Sequence, residues 1–372
     1  MRIPIVALVA VLSLMQGTWA QDGPTPQGSE TVARPRNSSA APAPGSDAPL
    51  PKIPSKLSPK VKDDAAPDAS FRADTNVVNV EVAVLDNNGN PLPQIPQRNF
   101  RILEDNVPQT ITHYSTSQAP ITVALVIEFS ARYQSYWSTG WRQTLFAAYS
   151  FLQTLKPDDY LAVIAYDLNT TILCDFTNDK SRMQEALSRL RIPGFSESNM
   201  FDAVTDTADR MSKIEGRKAI ILITSGIDTF SKLTFDKTRK SLQDSGVPVY
   251  PIGILQLARE MAEARGANMI DFAQGDNELK TFAKETGGQA FFPRFMQEMP
   301  GAFQAINQSL RNQYTLSYSP TNTAKDGKFR KLTVQLVDPA TNEPLRVTNQ
   351  KGKAMKYTIV AKAGYTAPRA VE

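Results

Sequence analysis

The chain has 372 residues, with 41 Lys and Arg against 37 Asp and Glu, 26 Pro, one Cys and one His. That length predicts two or three domains, and 41% hydrophobic residues supply a full core. The single Cys and single His exclude an intrachain disulfide, a Cys/His zinc centre and an H-E-x-x-H protease. They leave a Ser-His-Asp hydrolase only His113 to draw on.

Residues 1–20 begin with Arg2, continue with an apolar run from Ile5 to Met15 and end at Thr18-Trp19-Ala20. A basic start, a short apolar stretch and a small-x-small end predict a secretory signal peptide cut after Ala20, and the run is too short for a bilayer span. The expected location is therefore periplasmic or extracellular. No Cys follows the cut to carry a lipid, and no later segment reads as a transmembrane helix. Residues 21–70 hold ten of the 26 prolines among Ser, Ala and Asp. So few large apolar groups cannot repay the entropy of ordering, which predicts an extended tether.

Residues 71–118 predict a β-module. Val77 to Asp86 alternates, with Val78, Val80, Val82 and Val84 on one face, before the turn cluster Asn87-Asn88-Gly89. Two more short strands are expected from Phe100 and from Gln109.

Residues 119–312 change character. Ile121 to Phe129 is almost unbroken apolar sequence, as a strand buried on both faces requires. Helices are predicted over 141–155, 179–190, 200–211, 235–244, 277–286 and 302–311. Strands are predicted over 160–166, 218–224, 247–254 and 290–293. Strands alternating with helices predict a doubly wound α/β domain with a mostly parallel sheet. Residues 313–368 return to alternation, with strands from Gln313, Lys331 and Lys356. Three strands before the α/β unit and three after it predict one sandwich with that unit inserted, two separate β-modules being the alternative. Residues 320–372 carry ten Lys or Arg and four Asp or Glu, a basic end on a nearly neutral chain. Near neutrality and the lack of any nucleic-acid module exclude a nucleic-acid partner.

In an open parallel sheet, ligands bind beyond the carboxyl ends of the strands. Three loops rich in oxygen donors fall there: Glu128-Phe129-Ser130-Ala131-Arg132, Ser196 to Asp202, and Thr224-Ser225-Gly226-Ile227-Asp228. Such loops suit a hard cation such as Mg²⁺. With the tail segments Gly327 to Lys331 and Lys362 to Pro368, they make the chain resemble von Willebrand factor A-type (VWA) proteins, specifically the secreted bacterial VWFA-related family. The resemblance implies an adhesion or assembly role and a metal-ion-dependent adhesion site whose first loop reads Asp-x-Ser-x-Ser, followed by a Thr loop and an Asp loop.

The sequence departs from that pattern. Glu128 stands for the first Asp, Ser130 matches, and Arg132 replaces the last Ser. Ser198 stands for the Thr and Ser225 for the third-loop Asp, with Asp228 nearby. At about 4 Å and an effective dielectric near 20, each unit of charge on an ion would repel Arg132 by about 4 kcal/mol. The ligand-binding set expected from the resemblance is Glu128, Ser130, Arg132, Ser198, Ser225 and Asp228. The expectation is no cofactor. Mg²⁺ or another divalent cation on Glu128, Ser130 and Ser198 is one alternative, Arg132 in the cation's place beside Glu128 is a second, and ordinary strand-to-helix turns are a third.

His113 and Cys174 read as structural residues, the latter as a small buried hydrophobe. Tyr133, Tyr136, Trp137 and Trp141 crowd beside the first loop and offer a contact surface. Asp158-Asp159 reads as a loop. The chain is expected to be an exported non-enzymatic binder of a protein, matrix or envelope ligand. The alternative is a structural envelope component with a silent site, binding through the sandwich or the basic C-terminal region.

Overall fold

The structure is a computed structural model that describes residues 77–116, 119–131, 140–190, 195–254, 256–266, 270–348 and 352–370. The expected signal peptide and tether, and Arg132, Tyr133, Tyr136 and Trp137, lie outside those residues.

Four short strands come first: β1 (Val78–Asp86), β2 (Phe100–Glu104), β3 (Val107–Gln109) and β4 (Ile111–Ser115). The α/β region follows as β5 (Ile121–Glu128), α1 (Gly140–Thr154), β6 (Tyr160–Tyr166), β7 (Thr170–Thr177), α2 (Lys180–Ser188), α3 (Met200–Ser212), β8 (Arg217–Thr224), α4 (Phe235–Ser245), β9 (Val249–Gly253), α5 (Gln256–Glu263), α6 (Ile270–Thr286) and α7 (Met299–Arg311). Its sheet runs in the order β7-β6-β5-β8-β9, parallel except for β7.

The unbroken apolar run of β5 divides by its period of two. Ile121, Val123, Leu125 and Ile127 pack against Phe151 and Leu152 of α1, Leu187 of α2 and Phe303 of α7. Ala124 and Val126 face Met200 and Val204 of α3, Leu242 of α4 and Phe282 of α6. Helices therefore cover both faces, as the doubly wound expectation requires.

Four elements differ from expectation. Residues 170–177 form an antiparallel edge strand that was not foreseen; its mixed polar sequence, with Cys174 buried in it, lacks a clean alternation, and its pairing with β6 shifts register twice. The amphipathic helix α5 was also missed, and α6 starts seven residues before the expected Asn277. The expected strand at 290–293 is a single bridge between Phe291 and Ile252, since Pro293 has no N–H to extend the ladder. Gly287 ends α6 as a left-handed cap at φ +84°.

The tail comprises β10 (Tyr314–Tyr318), β11 (Phe329–Leu336), the two-residue β12 (Val347–Thr348) and β13 (Ala354–Met355), β14 (Tyr357–Ala361) and β15 (Gly364–Thr366). Two antiparallel sheets, β14-β1-β10-β4 and β15-β11-β2-β3, each combine strands from both ends of the chain. Between them Val78, Val80, Val82 and Val84 meet Ile102, Leu316, Tyr318 and Leu332 in one core, so the single-sandwich expectation holds. A buried polar group ties the two ends: Tyr318 (2.6 Å) and Tyr365 (3.0 Å) donate to Glu104 Oε2, with Arg330 Nη1 3.7 Å from Oε1. His113 lies exposed on β4.

Two buried charges anchor the lower end of the α/β sheet. Asp159 accepts from the backbone N–H groups of Ile121 (3.0 Å) and Lys156 (2.6 Å) and from Arg311 Nη2 (2.6 Å). Arg217, at the start of β8, donates to the carbonyls of Leu310, Arg311 and Gln313. It thereby satisfies carbonyls that the end of α7 leaves without intrahelical partners.

Candidate functional site

In this sheet order the chain turns from β5 to β6 on one side and to β8 on the other, so a crevice opens between the carboxyl ends of β5 and β8. Glu128 closes β5 there and Thr224 closes β8. Glu128 is fully buried, which for a carboxylate requires compensating donors. Three are present. Ser130 Oγ donates to Oε1 at 3.0 Å; Thr224 Oγ1 (2.9 Å) and the Ser225 N–H (2.7 Å) donate to Oε2. Tyr166, opposite Glu128 in register on β6, extends the chain by donating to Thr224 Oγ1 at 2.8 Å. Burial raises the Glu128 carboxyl above its ordinary value, and these hydrogen bonds offset only part of that. Burial also pushes the Tyr166 phenol well up, with the Glu128 charge adding to it. Ser198 Oγ lies beside that phenol, yet it has no hydrogen-bond partner of normal geometry.

Asp228 turns elsewhere. Its Oδ1 accepts from the Phe201 N–H (3.2 Å) and Ser231 Oγ (2.5 Å), and its Oδ2 from the Ser231 N–H (3.2 Å). It thus caps α3 from a neighbouring loop, a favourable place for an anion. Asp202, inside the first turn of α3, reciprocates by accepting from the N–H groups of Lys232 and Leu233, both at 3.0 Å. The second and third loops are further laced by Ser198 N–H to Thr229 Oγ1 (2.8 Å) and Thr229 N–H to Ser198 O (2.8 Å).

Of the six residues expected from sequence, the structure gathers Glu128, Ser130 and Ser225 into one hydrogen-bonded group, with Ser198 Oγ beside Tyr166 but not bonded to it. Asp228 serves a helix end. Arg132 lies outside the described residues. The partners that sequence reasoning missed are Tyr166 and Thr224, each the last residue of its strand. That position was their available signal.

A resident Mg²⁺ does not suit these groups as arranged. The ion needs several oxygen lone pairs in an octahedron and usually keeps waters of its own. Three donors occupy the Glu128 oxygens, Asp228 is committed to α3, and Ser130, Ser198 and Ser225 are buried. Among the described residues, no three of His, Cys, Asp or Glu are grouped to hold a metal.

Gly226 follows Ser225 at φ +83°. A Cβ added to Gly275 of α6 would lie 2.3 Å from the Gly226 carbonyl oxygen. Gly275→Ala is expected to push the third loop away and cost about 1–3 kcal/mol, the usual range for overpacking. Thermal unfolding measures this, and an unchanged midpoint would show that the loop moves freely.

The von Willebrand factor type A domain family matches residues 123–309, half of the chain. The chain belongs to that family. Solved structures similar to this VWA protein include proximal thread matrix protein 1 from the mussel byssus (14% identity, 56% of this chain and 51% of that one, TM-score 0.42). The vWF domain of the type V pili tip protein Mfa5 from Porphyromonas gingivalis is another (14% identity, 52% and 95%, TM-score 0.42). A third is a von Willebrand factor type A protein from Catenulispora acidiphila (13% identity, 80% and 76%, TM-score 0.40). The chain spans about half the length of the mussel protein. No curated protein sequence matches it.

Proposed function

We propose that this VWA protein is an exported, non-enzymatic binder that recognises a protein or matrix ligand at the β5–β8 edge of its sheet, without a metal ion. The observation that carries this is the contrast between the sealed Glu128 group and its rim. Phe195 and Phe230 are 45% and 61% exposed. Both are tied to site loops, Phe195 O accepting from the Ala131 N–H (2.6 Å) and the Phe230 N–H donating to Ser198 O (3.1 Å). Large exposed aromatics are the usual anchors of protein interfaces. In this reading Glu128 positions the loops and does not contact the ligand. VWA domains generally act as binding modules, and residues 1–20 supply the export.

The test is capture of a ligand by the mature protein with Mg²⁺ and with chelator. Capture is expected to be indifferent to chelator and to weaken by about 1 kcal/mol or more on Phe230→Ser. Capture that requires Mg²⁺, or saturable Mg²⁺ binding abolished by Ser130→Ala, would overturn the metal-free edge.

A further inference from the structure

A second surface lies away from the β5–β8 edge. Between α4, α6 and the C-terminal strands runs a cleft of about 730 Å³. Five cations line it, Arg239, Lys280, Lys284, Lys331 and Lys362, against one carboxylate, Glu285. Glu285 is spent on Arg239 (2.6 Å) and Gln243 (2.7 Å). Among the described residues, none of the four lysines has a carboxylate within ion-pair distance. Lys280, Lys284 and Lys331 are exposed. Lys362 is partly buried, which brings its ammonium down to about 8.

The floor of the cleft is sheet edge. Among the described residues β14 ends its sheet and pairs with β1 alone, and Thr358 to Ala361 line the cleft. β15 pairs with β11 from Phe329 to Lys331 and the Ala363 carbonyl takes the Leu332 N–H; beyond them Thr333 and Val334 line the cleft. Bare edges present a row of N–H and C=O groups that can pair with an added strand. Lysines along an edge repel a neutral or basic strand, because pairing would strip their water; an acidic strand turns the same lysines into attractors.

We propose that this cleft binds an extended acidic peptide segment, which adds to the free edge of β14 and sets its carboxylates on Lys280, Lys284 and Lys331. The partner is a protein carrying an exposed strand or tail with alternating Asp or Glu. A polysaccharide polyanion could use the lysines but not the edge.

The probe is a fluorescein-labelled peptide of alternating Glu and Val, titrated by anisotropy with the full chain. Saturable binding is expected, weakened about tenfold or more by the double variant Lys284→Glu/Lys331→Glu and falling with added salt. Both substitutions are at exposed positions, and an unchanged thermal midpoint confirms that the variant is folded. The same peptide N-methylated at alternate residues is expected to lose binding. No saturable binding, indifference to the lysine changes, or full binding by the methylated peptide would each overturn the proposal. Stronger binding of dextran sulfate than of the peptide would likewise replace it with a charge-only site.

Discussion

Replacing Asp159 with alanine is expected to lower the unfolding free energy by about 3–5 kcal/mol, a large share of the roughly 5–15 kcal/mol that holds a typical domain folded. The carboxylate is fully buried and accepts from two backbone N–H groups and from Arg311, which is itself only 10% exposed. Its removal strands the Arg311 charge and frees the start of β5 from the loop before β6. The double variant Asp159→Ala/Arg311→Met is expected to recover much of the loss, because an apolar pair no longer contains an uncompensated charge. Urea denaturation of the three proteins measures this. A single-variant loss under about 1 kcal/mol would show that water reaches Arg311 and that the anchor is not built as described.

Glu128→Ala should cost about 3 kcal/mol or more, since each of three donors left without an acceptor in a buried site carries its own desolvation penalty. Glu128→Gln is the informative partner. Burial raises the folded carboxyl above its ordinary value of 4.5, so the folded state holds this proton more tightly than the unfolded chain. Stability from this group is therefore greatest at low pH and declines as pH rises through the ordinary carboxylate range and up to the folded value. The glutamine variant has no proton to lose. It is expected to flatten that decline, so that its stability relative to the parent improves as pH rises above the ordinary carboxylate range. Parallel slopes for the two proteins would show that Glu128 is already ionised and compensated in the folded state.

Much of this architecture was legible because strong periodicities leave few options. The valines of β1 and the unbroken apolar run of β5 each have one arrangement that buries them, a sandwich face and a central parallel strand. The helices α3, α4 and α7 announced themselves by spacing. β7 and α5 did not: β7 is an edge strand that exposes Ile172 and buries Thr177, and its ladder slips, so its residues carry no clear period. The strand expected at 290–293 failed for a local reason, a proline where the next ladder bond would be.

The site divides in the same way. The three loops could be placed on the carboxyl edge of the sheet from sequence, because loop position follows from the α/β alternation. Which oxygens are free could not. Asp228 sits three residues after Ser225 and reads as part of the same acidic loop, yet its carboxylate turns to the N-terminus of α3, where unsatisfied N–H groups outcompete a site that offers it none. Glu128 reads as a ligand and proves to be enclosed by Ser130, Thr224 and the Ser225 N–H.

By itself, then, the sequence determined the residue inventory, the VWA alternation, the basic end and the absence of any His or Cys cluster, since these depend on composition and local period. The tertiary structure alone decided that Glu128 is sealed, that Asp159 anchors the sheet and that four lysines from distant segments converge on a bare strand edge. The first two depend on which buried groups find partners far apart in the chain and the third on which charged side chains the fold brings together, matters of packing that no local pattern encodes.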